Sequence, residues 1–412
     1  MTAQLSDPIA LPGGAVLSNR LGKAAMSEGL SDAHNNPTPR LETLYRRWAR
    51  AGAGLLLSGN FQVDRQHLER PTNVVVDEHS DFAALARLAA AGKAPGVQFW
   101  AQLSHTGRQV DRAINPAPLA PSAVEIEVVR GAGYDFAPPR AMSGADIEHA
   151  IAQFAFAAGK ARELGFDGVA LHAAHGYLIS QFLSLRSNQR SDAWGGSLKN
   201  RARFLLETIK AVRGAVGPGF PIGIKLNASD FLKGGFTNAE CIELVSWLNE
   251  SSLDLLELSG GSLEQPKIVG VAIRDQGEDV VPESARRREA YFVAFAGAVK
   301  KIAAMPVMVT GGFRSLAAMT EALQDGELDI VGLGRPMIAA PDTPKQMLSG
   351  EIDQAPAPEI GLFHIIAWHS LQIERIADGL EPDLSLTGDA AREAFARIET
   401  ENFAKVIAAR QR

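Results

Sequence analysis

Gly54-Leu55-Leu56-Leu57-Ser58 is a short apolar run that begins after a glycine and ends at a polar residue. A run of this kind is typical of a strand buried on both faces of a parallel sheet. Seven similar runs occur along the chain, and a segment with helical periodicity follows each of them. The eight predicted strands are Gly22–Ser27, Gly54–Ser58, Val97–Leu103, Gly168–His172, Ile222–Asn227, Asp254–Ser259, Pro306–Thr310 and Asp329–Leu333.

The strand–helix alternation predicts an α/β fold, a (β/α)8 TIM barrel. Such a barrel usually takes about 250 residues. A doubly wound sheet is the alternative topology, but no G-x-G-x-x-G follows the first strand and no G-x-x-x-x-G-K-[ST] occurs in the sequence. The predicted helices are Leu41–Ala51, Asp81–Ala91, Asp146–Leu164, Arg203–Ala215, Asn238–Glu250, Glu289–Ala304, Ser315–Gln324 and Met337–Leu348.

The residues in excess of a minimal barrel fall at its ends and in three loops. We expect residues 1–20 to form an N-terminal cap, and residues 1–350 to form one barrel domain. Residues 351–412 are expected to be a helical extension, with an apolar stripe over Leu362–Ile376 and a second helix over Ala390–Ile407. This extension would pack on the barrel or on a partner subunit. The long loops are residues 104–145, 173–202 and 260–288, and loops of that length are commonly functional.

Composition excludes several classes of protein. Of the 412 residues, 46% are hydrophobic and 21% are charged, as in ordinary globular proteins. The formal charge of −6 does not indicate a nucleic-acid-binding surface. The single cysteine, Cys241, excludes an internal disulfide, a cysteine-ligated zinc site and an iron–sulfur cluster. The sequence contains no apolar run of membrane-spanning length and begins without a signal-peptide pattern, so we expect a cytoplasmic protein without membrane contact.

Two histidines and a tyrosine follow the fourth predicted strand, in His172-Ala173-Ala174-His175-Gly176-Tyr177. In a barrel, the active site is built at this end of the strands. Imidazole N–H groups can polarise a carbonyl oxygen, and a phenol can donate a proton. The same spacing also suits a metal pair, and lone histidines or tyrosines are commonly structural, so these alternatives stay open.

Glycines end the seventh and eighth predicted strands, at Gly311-Gly312 and at Gly334 before Arg335. Barrels frequently bind phosphate at this place, and an arginine can bind it with two hydrogen bonds. Glycines there can also be simple turn residues. Lys225 lies on the fifth predicted strand, and inside a barrel mouth it would need a carboxylate or a bound anion as counter-charge. Alternatively, its side chain points outward into solvent.

Taken together, these features resemble the old yellow enzyme family of FMN-dependent ene-reductases, from about residue 8 to residue 350. The most specific block extends from His172 to Phe231. Its motifs, and those around it, are His172-Ala173-Ala174-His175-Gly176-Tyr177-Leu178, Asn188-Gln189-Arg190-Ser191-Asp192, Trp194-Gly195-Gly196-Ser197, Lys225-Leu226-Asn227-Ala228-Ser229-Asp230-Phe231, Gln102-Leu103-Ser104-His105-Thr106-Gly107-Arg108 and Gly334-Arg335-Pro336.

The resemblance implies a set of FMN-binding residues. Gln102 would bind the pyrimidine edge of the flavin, and Lys225 would stabilise the reduced flavin near N1. The residues implied to pass along or close against the ring are Ala25, Met26, Ser27 and Gly59. Those implied to hold the phosphate are Gly311, Gly312, Gly334 and Arg335.

The resemblance also implies a reaction. NAD(P)H would reduce FMN in a first half-reaction, and an electrophilic alkene activated by a carbonyl or nitro group would take the hydride in the second. His172 and His175 would bind the activating group, and Tyr177 would donate a proton to the α-carbon. Other hypotheses are an FMN barrel that acts on an amine or a dienoyl thioester, a flavin-binding protein with little turnover, and a metal hydrolase. The motifs leave the natural substrate and the choice of NADH or NADPH open.

Three features differ from the family pattern or vary within it. Ser27 stands where cysteine or threonine is common, although a serine hydroxyl can still donate a hydrogen bond there. Gly29 stands where one branch commonly has a tyrosine that lines the substrate pocket. Some relatives insert a C-terminal arginine into the neighbouring active site of a dimer. We expect a homodimer, and the sequence does not single out one of Arg375, Arg392, Arg397, Arg410 and Arg412.

Overall fold

A closed barrel of eight parallel strands forms the centre of the computed structural model, which describes residues 3–127, 135–265, 293–361 and 364–411. Each strand pairs with the next along the chain, and the eighth pairs with the first. The predicted fold is confirmed. The barrel strands, first to eighth, are Leu21–Lys23, Leu55–Gln62, Gln98–Ser104, Gly168–Ala173, Ile222–Asn227, Leu255–Ser259, Val307–Thr310 and Ile330–Leu333.

Strand residues alternate between two apolar cores. One set faces the surrounding helices, and the other fills the lower barrel interior around Trp100. Gly168 and Gly223 lie beside the Trp100 indole, where a Cβ atom on either residue would crowd the ring. The glycines on the fourth and fifth strands therefore give the tryptophan its place in the barrel.

Helices surround the barrel, and side-chain oxygens cap the N-terminus of most of the longer ones, for example Thr38, Ser143 and Thr237. The predicted single helix over Met337–Leu348 is wrong: two short helices replace it, because Pro341 cannot continue a helix. The helices are Pro39–Ala49, Phe82–Ala91, Gly144–Glu163, Leu178–Leu183, Leu198–Val216, Asn238–Leu248, Val293–Lys300, Leu316–Gln324, Pro336–Ala339, Thr343–Leu348, Ile365–Ala377 and Gly388–Arg410.

The N-terminal cap is an antiparallel pair of two-residue strands, Ile9–Ala10 and Val16–Leu17. The Gly13 amide donates to Asp254 Oδ1 at 2.5 Å, next to the start of the sixth strand. Leu17 is buried with the residues of the lower barrel interior. The cap therefore closes the end of the barrel opposite the carboxyl ends of the strands.

The tail helices contact the barrel of the same chain. Arg40, on the first helix around the barrel, binds Glu374 at 2.6 Å and also pairs with Asp378. Arg410, on the last helix, donates to the carbonyl oxygens of residues 65 and 114. Of the predicted tail features, Leu362, Phe363 and Arg412 lie outside the described residues.

The long loops carry small elements of their own. Leu119–Ala120 and Arg140–Ala141 pair as short strands after the third barrel strand, and the helix Leu178–Leu183 follows the fourth. Most of the predicted loop 260–288 lies outside the described residues. Within the described ranges, no helix combines the length and apolar character that a membrane crossing requires.

Candidate active site

A cavity of about 340 Å³ opens at the carboxyl ends of the barrel strands. Its size is within the usual range for small-molecule and cofactor sites. All the predicted site residues except Gly59 line it. The lining residues named in the sequence analysis are Ala25, Met26, Ser27, Gln102, His172, His175, Tyr177, Lys225, Gly311, Gly312, Gly334 and Arg335.

The histidine–tyrosine motif forms a tight turn after the fourth strand. His175 and Gly176 both have positive φ, at 60° and 78°, and such a conformation is costly for a residue with a side chain. Two hydrogen bonds hold His175 in it: its amide donates to Asn227 Oδ1 at 3.2 Å, and Gln109 Nε2 donates to its carbonyl at 2.9 Å. The strained turn brings the two imidazoles and the phenol of Tyr177 to one side of the cavity.

The ring of His172 lies against the rings of His175 and Tyr177. The His172 ring is 5.0 Å from that of His175 and 4.8 Å from that of Tyr177, both edge to face. The Ala174 amide donates to His172 Nδ1 at 3.2 Å, so the proton of the neutral imidazole is on Nε2. His175 Nε2 lies 2.8 Å from Ser259 Oγ. His172 therefore keeps an N–H donor at Nε2 for a ligand.

Both imidazoles are neutral near pH 7. Desolvation by burial lowers the pKa of His172 and of His175 well below the usual value, and the Lys225 ammonium lowers both further. His172 is also lowered by His175. A neutral imidazole N–H can stabilise negative charge on an oxygen without carrying a full charge before the reaction.

Lys225 points into the barrel, and its counter-charge is Glu257 on the sixth strand. The two side chains are nearly buried, and Lys225 Nζ lies 3.0 Å from Glu257 Oε1. The strands place them directly opposite each other in register, with His172 opposite Lys225 on the other side. Thr310 Oγ1 on the seventh strand donates to the same carboxylate oxygen at 2.6 Å.

The ends of the seventh and eighth strands form the second part of the cavity. Gly311 and Gly312 have φ of 118° and 93°, a conformation that few other residues adopt. Arg335 is the residue directly before the short helix Pro336–Ala339, which follows the eighth strand. His369 of the first tail helix also lines this part, and burial together with Arg335 and Arg314 lowers its pKa to about 4.

The ends of the first three strands form the neighbouring part, since the first strand pairs with the eighth. Gln102 is 2% exposed and its Nε2 donates to Asn60 Oδ1 at 2.8 Å, whereas its Oε1 has no partner. A buried amide oxygen without a partner is costly and fits a ligand that donates a hydrogen bond. Asn60 lines the cavity, and Gly59 does not.

Gly59 has another role. Its amide donates to Glu28 Oε1 at 2.7 Å and to Tyr45 Oη at 2.9 Å. A Cβ atom at Gly59 would overlap the Glu28 carboxylate and the Met26 carbonyl. The glycine therefore permits close packing behind the cavity wall, and its predicted position against the flavin stays a prediction.

Several residues of the site were not predicted from the sequence. Glu257, which pairs with Lys225 and does not itself line the cavity, offered a signal, since it is a charged residue inside an apolar strand, as Lys225 is. Asn60 belongs to a strand that proved longer than predicted, and Glu69 and Arg70 lie in the loop beyond it. Ile365 and His369 enter from the tail, where sequence spacing gives no relation to the barrel mouth.

A group of possible metal ligands lies elsewhere, at Asp64, His67 and His105. Backbone amides of Leu119 and Gly107 donate at 3.0 Å to His67 Nε2 and His105 Nδ1. The ring nitrogens that face Asp64 therefore carry the protons, and His67 Nδ1 lies 2.8 Å from the Asp64 carboxylate. This hydrogen bonding favours a structural triad, because a metal-bound histidine normally donates from its second nitrogen.

Comparisons with known proteins agree with this geometry. The family model described as the NADH:flavin oxidoreductase / NADH oxidase family matches residues 4–354. The NADH-dependent flavin oxidoreductase nadA of Aspergillus parasiticus is 37% identical over 385 aligned residues, covering 89% of this chain and 84% of that protein. The NADH-dependent flavin oxidoreductase iliE of Neonectria sp. is 36% identical over 378, covering 86% of this chain but 48% of iliE.

Two solved structures are similar over most of their length. Morphinone reductase superposes with a TM-score of 0.72 at 27% identity, covering 88% of this chain and 93% of that one. An old yellow enzyme homologue from Zymomonas mobilis superposes with a TM-score of 0.71 at 25% identity, covering 87% and 96%.

Proposed function

This chain belongs to the NADH:flavin oxidoreductase / NADH oxidase family, the old yellow enzyme family, and we propose on that premise that it reduces the C=C bond of α,β-unsaturated carbonyl or nitro compounds. It is an FMN-dependent oxidoreductase that uses NAD(P)H. The observation that carries the proposed substrate class is the pair of neutral imidazoles beside a phenol in the cavity.

The residues present fit FMN. The unpartnered Gln102 Oε1 suits a ring N–H, and the Gly311-Gly312 and Gly334-Arg335 segments suit a phosphate. The Lys225 ammonium, on the fifth strand, supplies positive charge to the same cavity. When bound, FMN takes a hydride from the nicotinamide and supplies it to the β-carbon of the alkene.

The protein's own groups would complete the reaction. The N–H at His172 Nε2, together with His175, holds the carbonyl or nitro oxygen and stabilises the negative charge that develops on it. Tyr177 is 8% exposed and its ring lies 4.8 Å from that of His172, which supports protonation of the α-carbon by its phenol. Without polarisation by the histidines, an alkene is too electron-rich to accept a hydride.

The test is an anaerobic spectral titration of the purified protein with NADH and with NADPH, followed by 2-cyclohexenone. The expected result is loss of the visible flavin absorbance with the nicotinamide and its return with the enone. Cyclohexene, which lacks an activating group, should not restore the absorbance. A flavin that is reduced but is reoxidised only by a dienoyl thioester, or that is reduced directly by an amine, would overturn the proposed substrate class.

A variant pair sharpens this test. His172→Gln removes the imidazole donor and should slow reoxidation by the enone by about 10²-fold, the cost typical of losing one oxyanion donor. His149→Gln, on the helix Gly144–Glu163 outside the cavity, is the matched control and should react as the parent does. Equal rates in the His172 variant and the parent would contradict the role given to His172.

A further inference from the structure

Glu69 places a carboxylate in the part of the cavity formed by the first three strands. Its Oε2 accepts hydrogen bonds of 2.6 Å from Ser27 Oγ and of 2.6 Å from Asn60 Nδ2. Asn60 in turn accepts from Gln102. Three lining side chains are thus connected to one acidic group.

The carboxylate changes what Ser27 can offer a ligand. A hydroxyl has one proton, and in this structure Ser27 donates it to Glu69. The serine therefore presents lone pairs to the cavity in this structure, whereas the resemblance implies a hydroxyl that can donate a hydrogen bond there. The cause is the neighbouring acid, which lies 42 positions later in the chain and outside any motif.

The flavin ring system would lie in this part of the cavity. The glycines and Arg335 that suit the phosphate lie at the seventh and eighth strands, and the eighth strand pairs with the first, so the ring of a cofactor held there would reach the ends of the first three strands. The unpartnered Gln102 Oε1 lies in the same part and suits a ring N–H. Glu69 consequently shares this region with the ring.

We propose that Glu69 is a positioning residue that lowers the reduction potential of the bound FMN. Two-electron reduction by hydride adds negative charge to a ring that is neutral when oxidised. A carboxylate in the same low-dielectric cavity penalises that added charge. Because Glu69 accepts the Ser27 hydrogen bond, the hydroxyl is no longer free to donate to the reduced ring and stabilise it.

The surrounding charges support this assignment. The ammonium of Lys225, which would favour the reduced ring, is partly neutralised by Glu257 at 3.0 Å. Arg70, the cation next to Glu69 in sequence, also lines the cavity; it pairs with Glu399 at 2.7 Å and interacts electrostatically with Glu69 as well. Each cation thus has a carboxylate partner other than Glu69, which limits how far it offsets the Glu69 charge.

The experiment measures the midpoint potential of the FMN-loaded Glu69→Gln variant by equilibration with a reference dye and a chemical reductant. Glutamine keeps the shape and can still accept from Ser27, but it removes the charge. We expect the affinity for reduced FMN relative to oxidised FMN to rise about tenfold, a positive shift of about 30 mV for two electrons. Glu78→Gln removes a carboxylate on a side chain that is 73% exposed, and should not shift the potential.

A second variant guards against loss of FMN. Glu69→Ala, reconstituted with excess FMN, removes the charge and also frees the Ser27 hydroxyl. Titration of this variant with oxidised and with reduced FMN should give a positive shift at least as large. An unchanged or more negative potential in variants that retain their fold would overturn the proposal. Since neither NADH nor an alkene enters these measurements, their outcome is distinct from that of the proposed substrate class.

Discussion

Arg70 and Glu399 form a 2.7 Å ion pair that joins the cavity wall to the last helix of the chain. The guanidinium also lies 5.0 Å from the Phe395 ring on the same helix. Burial lowers the pKa of Arg70, but Glu399 and the other nearby carboxylates raise it by more than burial lowers it. The net shift is upward, so the arginine stays charged. A Cβ atom at Gly29 would overlap this guanidinium. The ion pair therefore accounts for glycine at this position, where one branch of the family commonly has a tyrosine.

We expect Gly29→Ala to destabilise the fold by about 2–4 kcal/mol. Gly29 has φ of 68°, and a Cβ atom there would overlap the Arg70 guanidinium and displace it from Glu399. Gly14→Ala is the matched control, since Gly14 has φ of 92° with open space around its Cβ position. It should cost only the backbone contribution of about 1–2 kcal/mol. Urea unfolding measures the free energy of unfolding of both variants. Equal losses of stability would show that the Arg70 side chain can move aside without an energetic cost.

Lys225→Met should destabilise the protein by about 3–5 kcal/mol, because it leaves the Glu257 carboxylate buried without its cation. The double variant Lys225→Met, Glu257→Gln should recover most of that loss. Lys160→Met is the control, since its pair with Glu163 lies at the surface and should contribute less than about 1 kcal/mol. If the double variant is no more stable than the single one, the buried pair is not the source of the loss.

Tyr177→Phe should slow the oxidative half-reaction with an enone by about 10²-fold or more, the range expected for loss of a general acid. Reduction of the flavin by the nicotinamide should change less than about twofold, since that step needs no proton from the phenol. Stopped-flow absorbance separates the two half-reactions. Equal slowing of both would indicate a displaced cofactor and not a lost proton donor.

The lowered pKa of His369 predicts that the folded protein loses stability in mild acid. Its pKa is lowered from 6.5 to about 4 in the folded protein, first by burial and then by Arg335 and Arg314. Between these values the unfolded chain binds the extra proton, so folding stability falls as the pH falls through this range. His369 should lower the free energy of unfolding by about 2 kcal/mol as the pH falls from 6.5 to 5.

The check compares urea unfolding of His369→Gln with that of the parent at pH 6.5 and pH 5. The variant should lose less stability across this range than the parent does. His79→Gln, at a side chain that is 67% exposed, should behave as the parent. An identical acid dependence in all three proteins would contradict the assignment to His369.

The strands and most helices could be predicted because each has a local cause. Apolar runs mark the eight strands, and the periodicity of the helices reports the face that packs on the barrel. The segment over Met337–Leu348 was predicted as one helix because its apolar pattern outweighed Pro341, which in fact interrupts it. The second strand runs to Gln62, four residues further than predicted, because its polar end continues to pair with the third strand.

The site could be predicted where its chemistry follows a strand end. His172, Lys225 and the glycine pairs are in this class. Glu69 could not be found, because its relation to Ser27 arises only when the loop after the second strand folds back over the first. His369 likewise reaches the cavity through helix packing between distant parts of the chain, which no local pattern encodes.

The pairing of Leu21 with Val331 has a consequence for biosynthesis. The second neighbour of the first barrel strand is made about 310 residues after that strand, since Val331 follows Leu21 by that distance. Residues that line the cavity span Ala24 to Ile373, so no nascent chain that ends before residue 373 holds the complete cavity. Flavin can therefore meet the whole cavity only after synthesis has passed this residue. Until then the unpaired edges of the growing sheet are exposed to the aggregation that chaperones limit.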